Sequence, residues 1–260
     1  MSRLAPDARA RALGYPYAAP PFDCIWTKSG LVPLEGHDPK SVARALEAAG
    51  ADPRARRTPV LAIGSNRAPV QLARKFHDFE APSAVVVAKA TLFDFDVVYG
   101  AGIAGYGAVG GATLATSPGA ACEVWATWLD DAQLKRMHET EGLAAGVYGF
   151  YELQRVNLCF AAGPRWTAVL AYVQKRGAMN IGGRPVALAE VPTAGRRFPA
   201  LRQPQMQAAL RDRFAPSLPM DAFILENLEK PELRQARIEA LKQTALPFDW
   251  PHLADLTPRT

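Results

Sequence analysis

The residue best suited to acid–base chemistry is a glutamate near the end of a predicted helix. Leu134 and Met137 should share the inward face of this helix, and Glu141 lies one turn beyond Met137. Glu141 should therefore also point inward, where a carboxylate must be paired, hydrogen-bonded or functional. Burial would raise its pKa toward the range of a general base. A frayed helix end with a solvated glutamate is the alternative.

A second stretch offers backbone N–H groups that could bind an anion. The apolar run from Val60 to Ile63 predicts a buried strand that meets Gly64-Ser65-Asn66, after which a helical pattern begins near Ala68. Glycine permits a tight turn, serine and asparagine are good N-cap residues, and Pro69 suits a first helical turn. Amide groups at such a start point one way and favour an anion or a developing oxyanion. An ordinary strand-to-helix turn is the alternative.

A glycine-rich stretch follows the next predicted strand. Residues 100–105 fit the pattern G-x-G-x-x-G, but a dinucleotide-binding unit then requires a helix. Residues 106–111 contain three further glycines, each of which disfavours a helix by about 1 kcal/mol relative to alanine. The stretch is therefore better explained as a mobile loop over a site or as a plain flexible surface loop.

The histidines, cysteines and serines do not form a recognisable metal or nucleophile motif. His138 and Glu141 have ligand spacing near a helix end, but two potential ligands do not make a metal site. Ser65 lacks the Gly-x-Ser-x-Gly context of a hydrolase. The cysteines number three and are widely spaced, which argues against a disulfide framework and a zinc site and favours reduced, buried thiols.

The composition predicts a globular protein with a sizeable core. The chain has 260 residues, 49% of them hydrophobic, and its formal charge of +5 comes from basic and acidic residues that are interspersed. Its one tight basic run, residues 54–57, is more typical of a solvated connector than of a nucleic-acid patch. The sequence shows neither a signal peptide nor an apolar stretch of membrane-spanning length. We expect a cytoplasmic protein that binds neither nucleic acid nor membranes.

The order of the predicted elements favours an α+β fold. Many short strands with few intervening helices, followed by a helical tail, are typical of a mixed sheet or small barrel, not of a doubly wound sheet. We predict an N-terminal extension (1–57) that packs on the core, a barrel domain (58–195) and a helical C-terminal extension (196–260). The predicted strands are 60–63, 84–99, 112–116, 122–129, 146–153, 157–161, 167–174 and 187–191, with a turn at 117–119. One predicted helix starts at Asp38-Pro39, has its apolar face over 41–49 and ends at Gly50; the others are 69–76, 132–139, 204–214, 221–229 and 232–244, the last two separated by Pro231.

Motifs of one known family occur in order between residues of about 59 and 174. Residues 60–66 end in Ile-Gly-Ser-Asn, residues 110–119 contain Gly-Gly-Ala-Thr-Leu, and residues 123–128 read Glu-Val-Trp-Ala-Thr-Trp. Residues 134–142 end in Glu-Gly and are followed by Gly-Val-Tyr at 146–148. These segments resemble the Y-G-S-N turn, the segment before the central strand, the V-W-G-V-V-W strand and the L-D-x-x-E-G…G-x-Y pattern of the γ-glutamylcyclotransferases.

The resemblance implies a small mixed β-barrel with flanking helices and a reaction that needs neither metal nor organic cofactor. In the family, the α-amine of a γ-glutamyl amide attacks its own γ-carbonyl, so that 5-oxoproline forms and an amine leaves. By motif position, Glu141 would be the general acid–base. Gly64, Ser65 and Asn66 would bind the substrate's carboxylate or the oxyanion, and Tyr148 would hydrogen-bond the substrate.

The resemblance also implies which partners to expect. The substrate would be a small γ-glutamyl amide or dipeptide. Independently of the resemblance, the apolar faces of the C-terminal helices should dock on the core or on a second subunit, so these helices are a candidate homodimer interface. Ile63 stands where the family usually has a tyrosine, so we include it among the candidate substrate-binding residues. Two alternatives remain: a non-catalytic ligand-binding or scaffolding module on the same fold, and an amide hydrolase or acyltransferase that uses the same carboxylate with another nucleophile.

Overall fold

The computed structural model describes residues 4–80, 83–161 and 163–258. The described residues form helices on both sides of one large sheet, with a short 3-10 turn at Ser65–Arg67. The helices are α1 (Pro6–Leu13), α2 (Pro39–Ala48), α3 (Pro69–Lys75), α4 (Asp131–Thr140), α5 (Gln203–Phe214), α6 (Met220–Glu229) and α7 (Pro231–Lys242). The strands are β1 (Cys24–Thr27), β2 (Gly30–Pro33), β3 (Thr58–Ala62), β4 (Val85–Tyr99), β5 (Ala112–Leu129), β6 (Tyr148–Phe160), β7 (Arg165–Gln174), β8 (Asn180–Ile181), β9 (Arg184–Pro185), β10 (Ala187–Leu188), β11 (Thr193–Ala194), β12 (Ala200–Leu201) and β13 (Leu253–Asp255).

Five of these strands close into a barrel. β5 pairs antiparallel with both β3 and β4, β4 pairs with β6, and β6 pairs with β7. β7 then closes the ring by pairing parallel with β3, where Val60 lies opposite Leu170. Because one pairing is parallel and the others are antiparallel, the barrel is mixed. The predicted α+β class with a small mixed barrel and flanking helices is confirmed.

The two faces of the barrel strands bury different sets of side chains, because successive residues of a strand point to opposite sides. Leu61 and its neighbours Ala126 and Ala171 belong to the main buried core. The alternate positions, including Trp125 and Tyr172, belong to a second buried cluster. That cluster contains Leu72 of α3, Phe76 directly after α3 and Met137 of α4. These two helices are therefore held against the barrel by apolar packing on the same side.

Strands from the two ends of the chain extend the barrel sheet. β1 pairs with β2 and with β4, so residues before the barrel add a hairpin to it. β13 pairs with β6, so residues after the helical tail return to the barrel. In the N-terminal part, α2 begins as expected: the carboxylate of Asp38 accepts hydrogen bonds from the backbone N–H groups of Lys40 and Ser41.

The expected turn at residues 117–119 is wrong, because β5 is one continuous strand. Phe93 of β4 pairs with Ala121, whereas Phe95 pairs with Thr116, so the intervening residues of β5 form a bulge opposite Asp94. The backbone N–H of Gly119 donates to the Asp94 carboxylate at 2.8 Å. The turn residues of this segment therefore produce a bulge and do not end the strand, because the parts of β5 on either side of the bulge both remain paired with β4.

Three further boundaries differ from the prediction. Residues 146–153 and 157–161 belong to the single strand β6, which is irregular around Arg155 (φ 56°) and pairs with β7. The N-cap of α3 is Ala68, since Ser65 and Asn66 instead open the 3-10 turn before it. The edge strand expected at 187–191 is only Ala187–Leu188. In the C-terminal part, Pro231 begins α7 and separates it from α6, as expected.

Candidate active site

The end of α4 positions Glu141. Asp130 caps the helix start: its carboxylate accepts from the backbone N–H of Gln133 at 2.8 Å, and the Gln133 side chain accepts from the Asp130 N–H at 3.0 Å. The last turn ends where the Glu141 N–H donates to the Met137 carbonyl at 2.9 Å. Gly142, with φ of 65°, then turns the chain away from the helix. The Glu141 side chain is left 13% exposed.

The turn after β3 lies directly beside this carboxylate. The Asn66 side chain donates from Nδ2 to Glu141 Oε1 at 3.1 Å. Gly64 must be glycine here, because a Cβ atom would lie 2.6 Å from Tyr15 Oη and 2.7 Å from Ala112 Cβ. The N–H groups of Ser65 and Asn66 open the 3-10 turn, and the first N–H groups of a helical turn have no acceptor within it. They are suited to an anionic ligand.

A buried lysine that the sequence analysis missed completes the carboxylate's surroundings. Lys75, at the end of α3, donates from Nζ to Glu141 Oε1 and to Thr140 Oγ1. Its side chain is 5% exposed, so the ion pair with Glu141 is largely shielded from solvent. Lys75 follows the buried Leu72 by three residues and so shares its helix face, which is the signal that could have found it.

All six residues expected at the site line one cavity of about 480 Å³. Glu141 and the turn residues form one side of it, and Tyr148 at the start of β6 forms another. The predicted residues that the structure brings together in this way are Ile63, Gly64, Ser65, Asn66, Glu141 and Tyr148.

Tyr148 makes its hydrogen bonds within the protein. Its hydroxyl donates to the Ala112 carbonyl at 3.2 Å and accepts from Gln174 Nε2 at 3.4 Å. Burial raises the pKa of Tyr148 well above its usual value, and the nearby Glu141 carboxylate adds to this effect. The phenol therefore stays protonated at neutral pH, and its proton is already committed to Ala112.

Three residues that line the cavity each carry a buried amide oxygen that accepts no hydrogen bond from any described residue. These oxygens are Asn66 Oδ1, Gln71 Oε1 and Gln174 Oε1. A buried acceptor without a donor is costly, by about 1–3 kcal/mol. Residues that line the cavity therefore carry spare hydrogen-bond acceptors.

The glycine-rich stretch at residues 100–111 covers part of the cavity. It forms a tight loop held by backbone hydrogen bonds from Gly100 to the Gly111 carbonyl and from Gly110 to the Gly102 carbonyl. Most of its residues are buried and several line the cavity, so the interpretation as a plain surface loop is wrong. It contains no helix, as expected from its glycines.

Two arginines that the sequence analysis did not select also line the cavity. Arg176 follows β7, and Arg234 lies on α7 together with Gln235 and Ile238. Within the described ranges, Arg176 forms no hydrogen bond or ion pair, and Arg234 donates to the Asn227 carbonyl. The helical C-terminal part thus contributes one arginine to the cavity wall, and the segment after β7 contributes the other. No local sequence signal linked these residues to Glu141.

The side chains that were considered as metal ligands are not grouped into a metal site in the described part of the chain. Among residues 4–80, 83–161 and 163–258, no three His, Cys, Asp or Glu side chains are grouped as a metal site would require. His138 packs on Phe150, and its Nδ1 lies 2.8 Å from the Tyr172 hydroxyl. Of the cysteines, which are all free, Cys24 and Cys122 are buried; Cys159 is only half-buried, although a core position was expected.

The described helices include none whose length and apolar character would allow it to cross a membrane. This observation concerns helices alone.

Comparisons with known proteins return similar solved structures only. The chain matches no family model and no curated protein. It is similar to a structure titled gamma-glutamyl cyclotransferase, with 20% identity over 75% of this chain and 92% of that chain and a TM-score of 0.34. It is also similar to a human protein described as uncharacterized, with 19% identity over 75% of this chain and 91% of that chain and a TM-score of 0.36.

The family that the sequence motifs resemble is therefore present among the structural neighbours.

Proposed function

We propose that this protein cleaves γ-glutamyl amides by attack of the substrate's own α-amine on its γ-carbonyl, releasing 5-oxoproline and an amine. The observation that carries the proposal is the contact between Glu141 and Asn66. It holds a shielded carboxylate against a turn whose first N–H groups have no acceptor within the turn, at the wall of a cavity large enough for a small molecule. An acid–base and an oxyanion site are the two groups that this reaction requires.

Glu141 has one oxygen suited to proton transfer. Asn66 and Lys75 both donate to Oε1, and in the described part of the chain no hydrogen bond reaches Oε2. Oε2 takes a proton from the substrate's α-ammonium, and the resulting amine attacks the γ-carbonyl. The same proton then passes to the leaving nitrogen as the tetrahedral intermediate collapses. The second proton of the attacking nitrogen follows through the same carboxylate to the released amine, so that the products are the lactam and an ammonium and the carboxylate is regenerated.

The turn after β3 stabilises the charge that develops during the attack. The N–H groups of Ser65 and Asn66 donate to the γ-carbonyl oxygen as it becomes an oxyanion, or to the substrate's carboxylate. Because the attack occurs within one molecule, the rate depends mainly on holding the amine against the carbonyl.

The unsatisfied amide oxygens of Asn66, Gln71 and Gln174 support an ammonium-bearing substrate. Each could accept one N–H from the α-ammonium or from the amide that is cleaved.

The test is to incubate the protein with γ-glutamyl amines and γ-glutamyl dipeptides and to look for 5-oxoproline. Glu141→Gln should lower kcat at least about 100-fold, the usual scale for a lost acid–base. Glu139→Gln is the matched control, since Glu139 lies on the same helix with a 55% exposed side chain. The proposal fails if no substrate yields 5-oxoproline, or if Glu141→Gln and Glu139→Gln are equally active.

The same assay separates the two alternatives. A hydrolase acting through Glu141 would release free glutamate, because water would replace the α-amine as the nucleophile. The non-catalytic alternative is motivated by Ile63, and it predicts binding of a γ-glutamyl compound without any turnover.

A further inference from the structure

A tyrosine from the segment before the barrel reaches the proposed catalytic cavity. Tyr15 follows α1 and is 5% exposed, and its ring belongs to the main core. Its hydroxyl oxygen accepts a hydrogen bond from the backbone N–H of Ala112 at 2.6 Å. Tyr15 also lines the cavity together with Gly64 and Glu141.

Tyr15 and Tyr148 both form a hydrogen bond with Ala112, one as the acceptor and the other as the donor. Tyr148 donates its proton to the Ala112 carbonyl, whereas Tyr15 accepts from the Ala112 N–H. In the part of the chain that the structure describes, the Tyr15 hydroxyl has no hydrogen-bond acceptor. Of these two phenols, Tyr15 therefore has the proton that a ligand could receive.

The position of this hydroxyl matches the proposed oxyanion site. Tyr15 Oη lies 2.6 Å from the place that a Cβ of Gly64 would occupy, so it touches the turn that offers the free N–H groups. Burial raises the pKa of Tyr15 well above its usual value, and the neighbouring Tyr148 contributes. The phenol remains protonated at all ordinary pH values and can act as a donor.

We propose that Tyr15 donates its hydroxyl proton in a hydrogen bond to the γ-carbonyl oxygen of the substrate, and so acts as a side-chain member of the oxyanion site. This inference rests on the proposed cyclisation. It makes the N-terminal segment a contributor to the catalytic cavity as well as a covering for the barrel. The same oxygen survives as the lactam carbonyl of 5-oxoproline, so the contact should also persist with the product.

The competing explanation is that Tyr15 only satisfies the Ala112 N–H. Tyr15→Phe alone does not separate the two, because it removes the donor to the substrate and also leaves that N–H without an acceptor. A fluorinated tyrosine in place of Tyr15 does separate them. It keeps the oxygen in place for Ala112 but makes the phenol more acidic, and only a donor to the reacting oxygen would change the rate.

The experiment compares kcat, KM and melting temperature for the wild type, Tyr15→Phe, the fluorinated form and Tyr17→Phe. Tyr17 is the control, since its hydroxyl bonds to the Arg11 carbonyl in the same segment. Tyr15→Phe should lose about 100-fold in kcat with KM roughly unchanged, as for a lost oxyanion donor. The fluorinated form should gain roughly twofold or more in kcat, at an unchanged melting temperature. Tyr17→Phe should match the wild type.

Each failure has a separate signature. Suppose that the wild type forms 5-oxoproline. If the fluorinated form then has the same kcat as the wild type, or Tyr15→Phe has the same kcat as Tyr17→Phe, the role of Tyr15 is overturned and the proposed function stands. If no 5-oxoproline forms, the proposed function is overturned and a role of Tyr15 in that reaction falls with it, and calorimetric binding of 5-oxoproline then decides whether Tyr15 donates to the carbonyl oxygen of a bound ligand. Roughly tenfold weaker binding to Tyr15→Phe than to Tyr17→Phe would support it, on the scale of one lost hydrogen bond. Equal binding, or none, would overturn it.

Discussion

Asn66 donates its side-chain amide to Glu141 at 3.1 Å, although 75 positions separate the two residues in the chain. The contact joins the turn after β3 to the end of α4, and it forms because α3 and α4 pack on the same face of the barrel. Under the proposed function, this hydrogen bond sets the direction of the Glu141 carboxylate, so that Oε2 faces the substrate.

We expect Asn66→Ala to lower kcat by about 10-fold to 100-fold, because a carboxylate displaced by as little as an ångström loses its alignment with the reacting amine. The rate of 5-oxoproline formation measures this effect. Asn180→Ala is the control, since the Asn180 amide bonds to the Thr244 carbonyl at an exposed position. A rate for Asn66→Ala equal to that of Asn180→Ala would show that the carboxylate needs no such alignment.

The ion pair between Lys75 and Glu141 gives a prediction about stability. Lys75→Met leaves a shielded carboxylate without its ammonium partner, and breaking a buried pair in this way costs about 3 kcal/mol. The free energy of unfolding from urea titration at neutral pH should fall by about that amount.

Two further variants test the origin of that loss. Lys242→Met breaks a pair whose side chains are 41% and 50% exposed, so it should cost less than about 1 kcal/mol. Lys75→Met combined with Glu141→Gln should recover much of the stability, since no charge is left unpaired. If the double variant is as unstable as Lys75→Met, the cost comes from lost packing of the lysine stem.

The strands of the barrel could be predicted from the sequence because they are apolar runs whose pattern is local, whereas their closure into a barrel is implied by the family resemblance. The bulge at Gly119 could not, since Pro118 and Gly119 are typical of a turn that ends a strand. Whether they end it depends on whether β4 continues to pair beyond them, and that pairing joins residues far apart in the chain. The same tertiary effect merged two predicted strands into β6.

In the candidate site, too, some features follow from local sequence and others depend on contacts between distant residues. The inward direction of Glu141 follows from its helical spacing, and the turn at Gly64 follows from local turn chemistry. Lys75 needs α3 and α4 to pack together before it meets Glu141. Tyr15 reaches Ala112 from 97 positions away, out of an aromatic and proline-rich segment with no periodic pattern. Contacts of that kind depend on the whole fold, so a sequence pattern does not reveal them.

Stability should depend on pH through His138. Burial lowers the pKa of this histidine in the folded protein, so the folded state binds this proton less readily than the unfolded chain, which binds it below about pH 6.5. In that range the unfolded state binds more protons, and the free energy of unfolding decreases as the pH falls. Above about pH 6.5 neither state binds this proton, so the full stabilising contribution of the histidine is present there, apart from the gradual change close to that pH.

Unfolding titrations at pH 7.5 and at pH 5.5 test this effect. His138→Gln should show a smaller loss of stability between the two pH values than the wild type does. His77→Gln is the control, because the His77 side chain is 71% exposed, and its pH dependence should match the wild type. Identical curves for the wild type and His138→Gln would assign the pH dependence to other groups.

Arg176 gives a prediction about the leaving group. It lines the cavity and makes no ion pair or hydrogen bond with the residues that the structure describes, so its guanidinium can receive an anionic group of the substrate. In a γ-glutamyl dipeptide, the leaving amine carries a carboxylate, whereas in a γ-glutamyl alkylamide it carries no charge. Arg176→Gln should raise KM for the dipeptide about tenfold, the scale of one charged hydrogen bond, and leave KM for the alkylamide unchanged. Arg184→Gln, at an exposed strand position away from the cavity, should change neither KM value. An equal rise in KM for both substrates would instead assign Arg176 to the γ-glutamyl part, which the two compounds share.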